Sequence, residues 1–312
     1  MQTQNEKEYY ITPAPHVRAT HTISTMMRDT IFALIPAGIG AVIFFGYYVA
    51  LVILASVVFS ILFELFVNFL RKQKTTIYDL SCVITGILFA YTLPPKIPIW
   101  IVAIGCFIAI VFAKHFYGGL GYNPFNPALI GRAFVHIAFP QHMGNFSIDG
   151  ITSATPLTVL KHFPEQINSL PEIKTLILGN YPGCIGETSV ILLLLGYLYL
   201  VARRHINPFV PVFYILVIAL FTAIVDLRHL WIYLFSGGIF LGGIFMITDP
   251  VTTPVTPKGK IIFALLCGIL TCIIRFWGSY PEGVCFSILF MNLFTPLIDE
   301  STIRKKFGYN KK

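Results

Sequence analysis

The stretch Tyr48-Val-Ala-Leu-Val-Ile-Leu-Ala-Ser-Val-Val-Phe-Ser-Ile-Leu-Phe-Glu64-Leu-Phe-Val-Asn-Phe-Leu70 decides the fold, and Arg71-Lys72-Gln-Lys74 bounds it. It exceeds the roughly 20 apolar residues that carry one helix across a bilayer. The cations beyond its end belong among headgroups and water. Inside hydrocarbon, every backbone N–H and C=O must be bonded within the chain, so a lone apolar span is a helix. Comparable stretches recur at 29–45, 79–94, 98–116, 126–139, 185–202, 208–225, 229–247, 260–277 and 281–298. The expected fold class is all-α: a polytopic membrane protein of about ten transmembrane helices. Several stretches are short for a straight span, and such helices persist only where neighbouring protein surrounds them.

Composition agrees. Hydrophobic residues make up 56% of the 312 and charged ones 12%, with a mean hydropathy of +0.76. A soluble domain carries roughly a quarter charged residues. The net charge of +8 could suggest nucleic acid, but the cations lie between apolar segments and at both ends rather than along one face. With both termini cytoplasmic, sixteen Lys and Arg fall on the inner side (among them Lys7, Arg71, Lys114, Arg203, Lys258 and Lys312). Four fall outside: Lys96, Lys161, Lys174 and Arg228. That excess sets the orientation in a cell inner membrane. The six cysteines form no C-x-x-C pair and sit mostly in apolar runs, so they read as core residues, with no metal site assigned. Residues 1–28 lack the apolar core of a cleavable signal peptide.

These features divide the chain into a cytoplasmic segment 1–28, a first transmembrane half 29–139, a periplasmic loop 140–184, a second half 185–298 and a basic cytoplasmic tail 299–312. Gly86, Phe89, Thr92 and Pro94 recur as Gly242, Phe245, Thr248 and Pro250 at an offset of 156, and Gly121 nearly matches Gly278. With five spans per half, the two copies would form an inverted repeat of the kind transporters use.

Three clusters interrupt the apolar background. The first, Gly118-Gly-Leu-Gly121-Tyr-Asn123-Pro-Phe-Asn126-Pro127-Ala-Leu-Ile-Gly131-Arg132, is a helix-breaking turn on the inner side. Its Arg132 is an intramembrane cation that needs a partner or a polar cavity. The second runs from Ser236-Gly-Gly238 to Thr248-Asp249-Pro250 and on to Pro257. Asp249 there reads as a water-exposed cap or an ion ligand. Glu64 and Glu282 also lie in or beside spans, and Glu64 is close enough to the end of its span to reach the interface. Together, Glu64, Asp249 and Glu282 are the candidates for an ion path or cavity. The third cluster, Asp149-Gly-Ile-Thr152-Ser153-Ala154-Thr155-Pro156-Leu157, predicts a turn into a short helix over 156–162, with Ser153 or Thr155 as N-cap.

These three runs, in this order, resemble the NqrB/RnfD family, and the resemblance extends from Pro15-His16 to Thr295-Pro-Leu-Ile-Asp299. The compact length and the Ala154-Thr155-Pro156-Leu157 ending are most like the RnfD branch, the D subunit of the Rnf ion-translocating electron-transport complex. The other branch, the B subunit of a Na+-translocating NADH:quinone reductase, typically carries a longer N-terminal region. The resemblance implies a translocase component that relays electrons through FMN bonded to Thr155 as a phosphoester, coupled to Na+ or H+ movement. Asp149, Ser153 and Ala154 share the attachment signature, and Ser153 stands where the family's usual Gly does. Arg132 and Asn126 complete the candidate cofactor-binding set, and no catalytic residue is assigned. A second, non-covalent riboflavin is implied, without residues.

An unassisted Thr hydroxyl is a poor nucleophile, so a flavin transferase is the implied maturation partner, beside the other Rnf subunits and membrane lipid. Thr155 is expected on the surface of the loop; Lys161 and His162 beside it read first as solvated surface residues, with pairing to the phosphodiester as the alternative. The rival reading is a cofactor-free transporter or channel on the same inverted repeat.

Overall fold

A computed structural model describes residues 22–73, 75–148, 151–152, 154–163, 165, 170–187 and 189–303. The first half contains α1 (Ile23–Phe45), α2 (Tyr47–Leu70), α3 (Ser81–Tyr91), α4 (Ile99–His115) and α5 (Pro127–Ala138). The connecting segment contains α6 (Pro140–Met143), the two-residue antiparallel strands β1 (Ser147–Ile148) and β2 (Ile151–Thr152), α7 (Pro156–His162) and α8 (Ile173–Leu178). The second half contains α9 (Val190–Ala202), α10 (Phe209–Val225), α11 (Leu230–Phe235), α12 (Ile239–Leu241), α13 (Pro257–Trp277) and α14 (Val284–Thr302). The chain is thus an all-α, multi-pass membrane protein, one small two-residue ladder apart. Exposed side chains such as Ile43, Leu54, Phe66, Leu198 and Ile224 give the helices their lipid-facing surface.

Four helices (α1, α2, α13 and α14) are long and apolar enough to cross a membrane unaided, and five more apolar helices are shorter. The chain explains where helices start. Asn126-Pro127, Thr155-Pro156 and Thr256-Pro257 each place a side-chain cap before a proline at the first helical position. The cap binds an orphan N–H, and proline lacks the one that would otherwise be unpaired. α1 starts at Ile23 rather than 29 because Thr22 caps it and Thr25 reciprocates, so the expected segment 1–28 overlaps the first helix.

The stretch 229–247 is not one helix. Gly237 and Gly238, with φ of 75° and 72°, break it between α11 and α12, and the chain continues as a π-helical turn over Gly242–Met246. Residues 236–247 are all buried, as is most of the 11-residue α3. The shortest spans are therefore the ones enclosed by protein, where their freed backbone groups escape lipid.

Across the connecting segment, α1 packs against α9 and α5 against α14. Within each half, α2 packs on α4 as α10 packs on α13. Gly86 lies against Ser56, Val57 and Ser60 of α2, but Gly243 rather than Gly242 meets Tyr214 of α10.

Candidate functional site

Thr155 is the N-cap of α7, and its Oγ1 accepts from Thr158 N–H at 3.3 Å. The two hydroxyls lie 2.7 Å apart. Thr155 is only 5% exposed, so the expected surface position is corrected: the threonine faces inward. It forms part of the wall of a cavity of about 520 Å³, within the size range of small-ligand sites.

Helix α5 supplies Arg132 and His136 to the same cavity, and the chain between α13 and α14 supplies Tyr280 and Glu282. His136 and Tyr280 have ring centroids 5.1 Å apart; Tyr280 stacks on Phe286 at 5.1 Å and 26°. Phe146 and Phe163 add apolar wall. The Arg132 guanidinium is buried and held by two carboxylates, Glu187 at 3.3 Å and Glu282 in closer contact. Ligand atoms of Cys184, Glu187 and Glu282 lie within 4.8 Å of one another, a spacing that could suit a metal. Arg132 contacts all three, with its Nη2 3.9 Å from Cys184 Sγ, and so already supplies the cationic partner there.

The other candidates separate by location. Ala154 lines the Thr155 cavity, whereas Asp149 and Ser153 lie outside the described residues. Arg132 was expected at an inner-side bend; it sits within α5, and its partners come from the end of the bundle that carries α7, here the loop end. Asn126 is not with Thr155. It caps α5 at the opposite end, accepting from Ala128 and Leu129 N–H. Asn126 and Asp249 line a second chamber of about 80 Å³. Asp249 is half-buried, caps the following turn, and accepts from Thr252 Oγ1 at 2.8 Å.

Glu64 does not reach the interface. It is fully buried, with Lys114 Nζ 2.9 Å from both carboxylate oxygens, His115 Nε2 at 2.8 Å and Thr76 Oγ1 at 2.5 Å. Glu282 thus belongs to the loop-end cluster, apart from Glu64 and Asp249. Lys161 does not face the cavity; carbonyl oxygens take its ammonium. The sequence reading missed Glu187, Lys114, His115 and His136. A pairing signal existed only in the rule that an intramembrane charge demands a partner.

The family model described as NQR2, RnfD, RnfE matches residues 10–308. The chain belongs to this family. It is 43% identical to the D subunit of the proton-translocating ferredoxin:NAD(+) oxidoreductase complex of Clostridium ljungdahlii, covering 96% of each chain. It is 40% identical to the D subunit of the Na(+)-translocating complex of Acetobacterium woodii, covering 98% of each. The D subunit of the ion-translocating oxidoreductase complex of Mannheimia succiniciproducens is 34% identical, with 97% of this chain and 98% of that one covered. Each relative is aligned over nearly its full length, so the loop-end site lies within the shared region.

Proposed function

We propose that the chain is the membrane-embedded D subunit of an ion-translocating ferredoxin:NAD+ oxidoreductase complex, relaying electrons through FMN held at Thr155 and coupled to Na+ or H+ transport. The names of its relatives support the complex, and its partners are then the other subunits. One observation carries the flavin: the threonine at the family's attachment position borders a cavity that also presents a cation, an imidazole and four aromatic rings.

The residues fit the group. As an ester oxygen, Thr155 Oγ1 would lose its proton but keep its lone pairs, so the Thr158 N–H and hydroxyl could still donate to it. Tyr280 and Phe286 offer apolar faces to a flat ring system. Glu187 and Glu282 fix the orientation of Arg132 at the wall. When bound, FMN supplies one-electron chemistry that no amino-acid side chain here provides. The chain's own task is to hold that group, keep water out and set the local charge. A second, non-covalent riboflavin belongs to the same reading, with no side chains assigned to it.

In the proposed orientation the loop end is periplasmic and both termini are cytoplasmic. The excess of inner-side Lys and Arg persists after Lys114, which is buried with Glu64, is removed from the count. The full chain, made together with a flavin transferase and purified, is expected to be yellow and to keep its colour after denaturation. A colourless chain would favour the cofactor-free transporter.

A further inference from the structure

Helix α7 is fastened at both ends to the second half. At its last turn, Lys161 Nζ donates to Arg275 O at 2.8 Å, Tyr280 O at 2.9 Å and Ile274 O at 3.4 Å. An ammonium has three N–H donors, and these carbonyls occupy all of them. Two of the three belong to the last turn of α13, the negative end of its helix dipole, where Ile274 O also accepts from Gly278 N–H at 2.9 Å. Burial and the nearby Arg275 guanidinium hold the Lys161 pKa below the usual lysine value. At the first turn, Leu157 packs over Gly237, where a Cβ would stand 2.3 Å from Leu157 Cδ1. Arg275 pins the Gly237 turn by donating to Ser236 O at 3.0 Å and Gly237 O at 2.9 Å. Arg275 thus joins both grips: its carbonyl receives Lys161 and its side chain holds the surface beneath Leu157.

Thr155 directly precedes α7, and its burial follows from this docking. A threonine 5% exposed inside a wall cannot enter the pocket of another protein. We propose that Lys161 is a positioning residue: it latches α7 to the end of α13, keeps Thr155 in the cavity, and must release before a macromolecular partner can reach Thr155. The need for such access rests on the proposed attachment at Thr155, but the latch itself is testable without flavin.

The test uses the full chain in membranes, with the native cysteines replaced and Thr155→Cys as the only thiol. Reaction with a small water-soluble maleimide is expected to be slow. Lys161→Met keeps the apolar stem but removes the donors. It should speed labelling about tenfold or more, as loss of charge-assisted hydrogen bonds shifts a local opening equilibrium. Lys161→Arg should slow it again. Asp29→Asn disturbs the Arg203 and His205 contacts at the opposite end and should leave the rate unchanged. Lys174→Cys, exposed on α8, reports full accessibility in every background. Fast labelling of Thr155→Cys with Lys161 present, no change in Lys161→Met, or equal acceleration by Asp29→Asn would each overturn the latch. A wild-type chain without flavin would refute the attachment reading while leaving these rates, and the latch they report, intact.

Discussion

The two ends of the bundle bury charge in opposite ways. At the end away from α7, one carboxylate, Glu64, is surrounded by Lys114, His115 and Thr76. Lys114 makes a further 2.7 Å bond to Ser81 Oγ. Three segments are thereby tied to α2, and of the cluster Lys114 and Ser81 border the chamber of about 80 Å³. At the loop end the ratio is reversed: one guanidinium, Arg132, serves two carboxylates, and the group borders the cavity of about 520 Å³. A satisfied buried pair fixes how helices pack, whereas an unbalanced one beside a cavity remains responsive to what enters. Among the described residues, the second half has no ionic counterpart to Glu64 and Lys114. Its α10–α13 contact joins Tyr214 to Thr271 at 3.2 Å, and Thr271 to Ser287 of α14 at 2.7 Å.

The comparison breaks first at Glu64. Glu64→Gln leaves Lys114 buried without its carboxylate, and removing one member of a buried pair costs about 3–5 kcal/mol. A large fall in the thermal midpoint of the purified chain is expected. Adding Lys114→Met should recover much of it, because no charge is then stranded. If Glu64→Gln melts like wild type, the structural assignment of that cluster fails.

At the loop end the larger effect should be on activity. Arg132→Leu strands Glu187 and Glu282, and electron transfer by the assembled complex should drop on the order of tenfold, as for a change worth one pKa unit. Covalent flavin should stay in place. Asp249→Asn, at the smaller chamber, keeps an acceptor for Thr252 and should shift stability by less than about 0.5 kcal/mol. Equal activity in Arg132→Leu and wild type would remove the functional contrast between the two ends.

Much of the fold was legible because a bilayer tolerates so few backbone solutions. Capping chemistry was equally readable: Thr155-Pro156 announced a short helix, and it forms over Pro156–His162. The break at Gly237-Gly238 was visible as composition but not as a break, since the flanking residues are apolar enough to read as one span. Partners were harder. Lys114 is 50 positions from Glu64, and periodicity along one helix says nothing of what another helix brings. The π-helical run over Ile108–His115 adds a residue to each turn, and it carries both Lys114 and His115 into the interior. Arg132 was legible as a charge in search of a partner. Glu187 and Glu282 were not legible as that partner, because they approach from two separate loops.

The most direct test is the mass of the peptide containing Thr155, from wild type and two variants matured beside a flavin transferase. Wild type should carry FMN less one water there, and its band should fluoresce on a denaturing gel. Thr155→Asn keeps a good N-cap and should fold normally, while Thr155→Ala loses the cap at about 0.5–2 kcal/mol; both should be dark. Thr152→Ala and Thr158→Ala should still fluoresce. Flavin mass on Thr152 or Thr158, or a fluorescent Thr155→Asn band, would contradict the account.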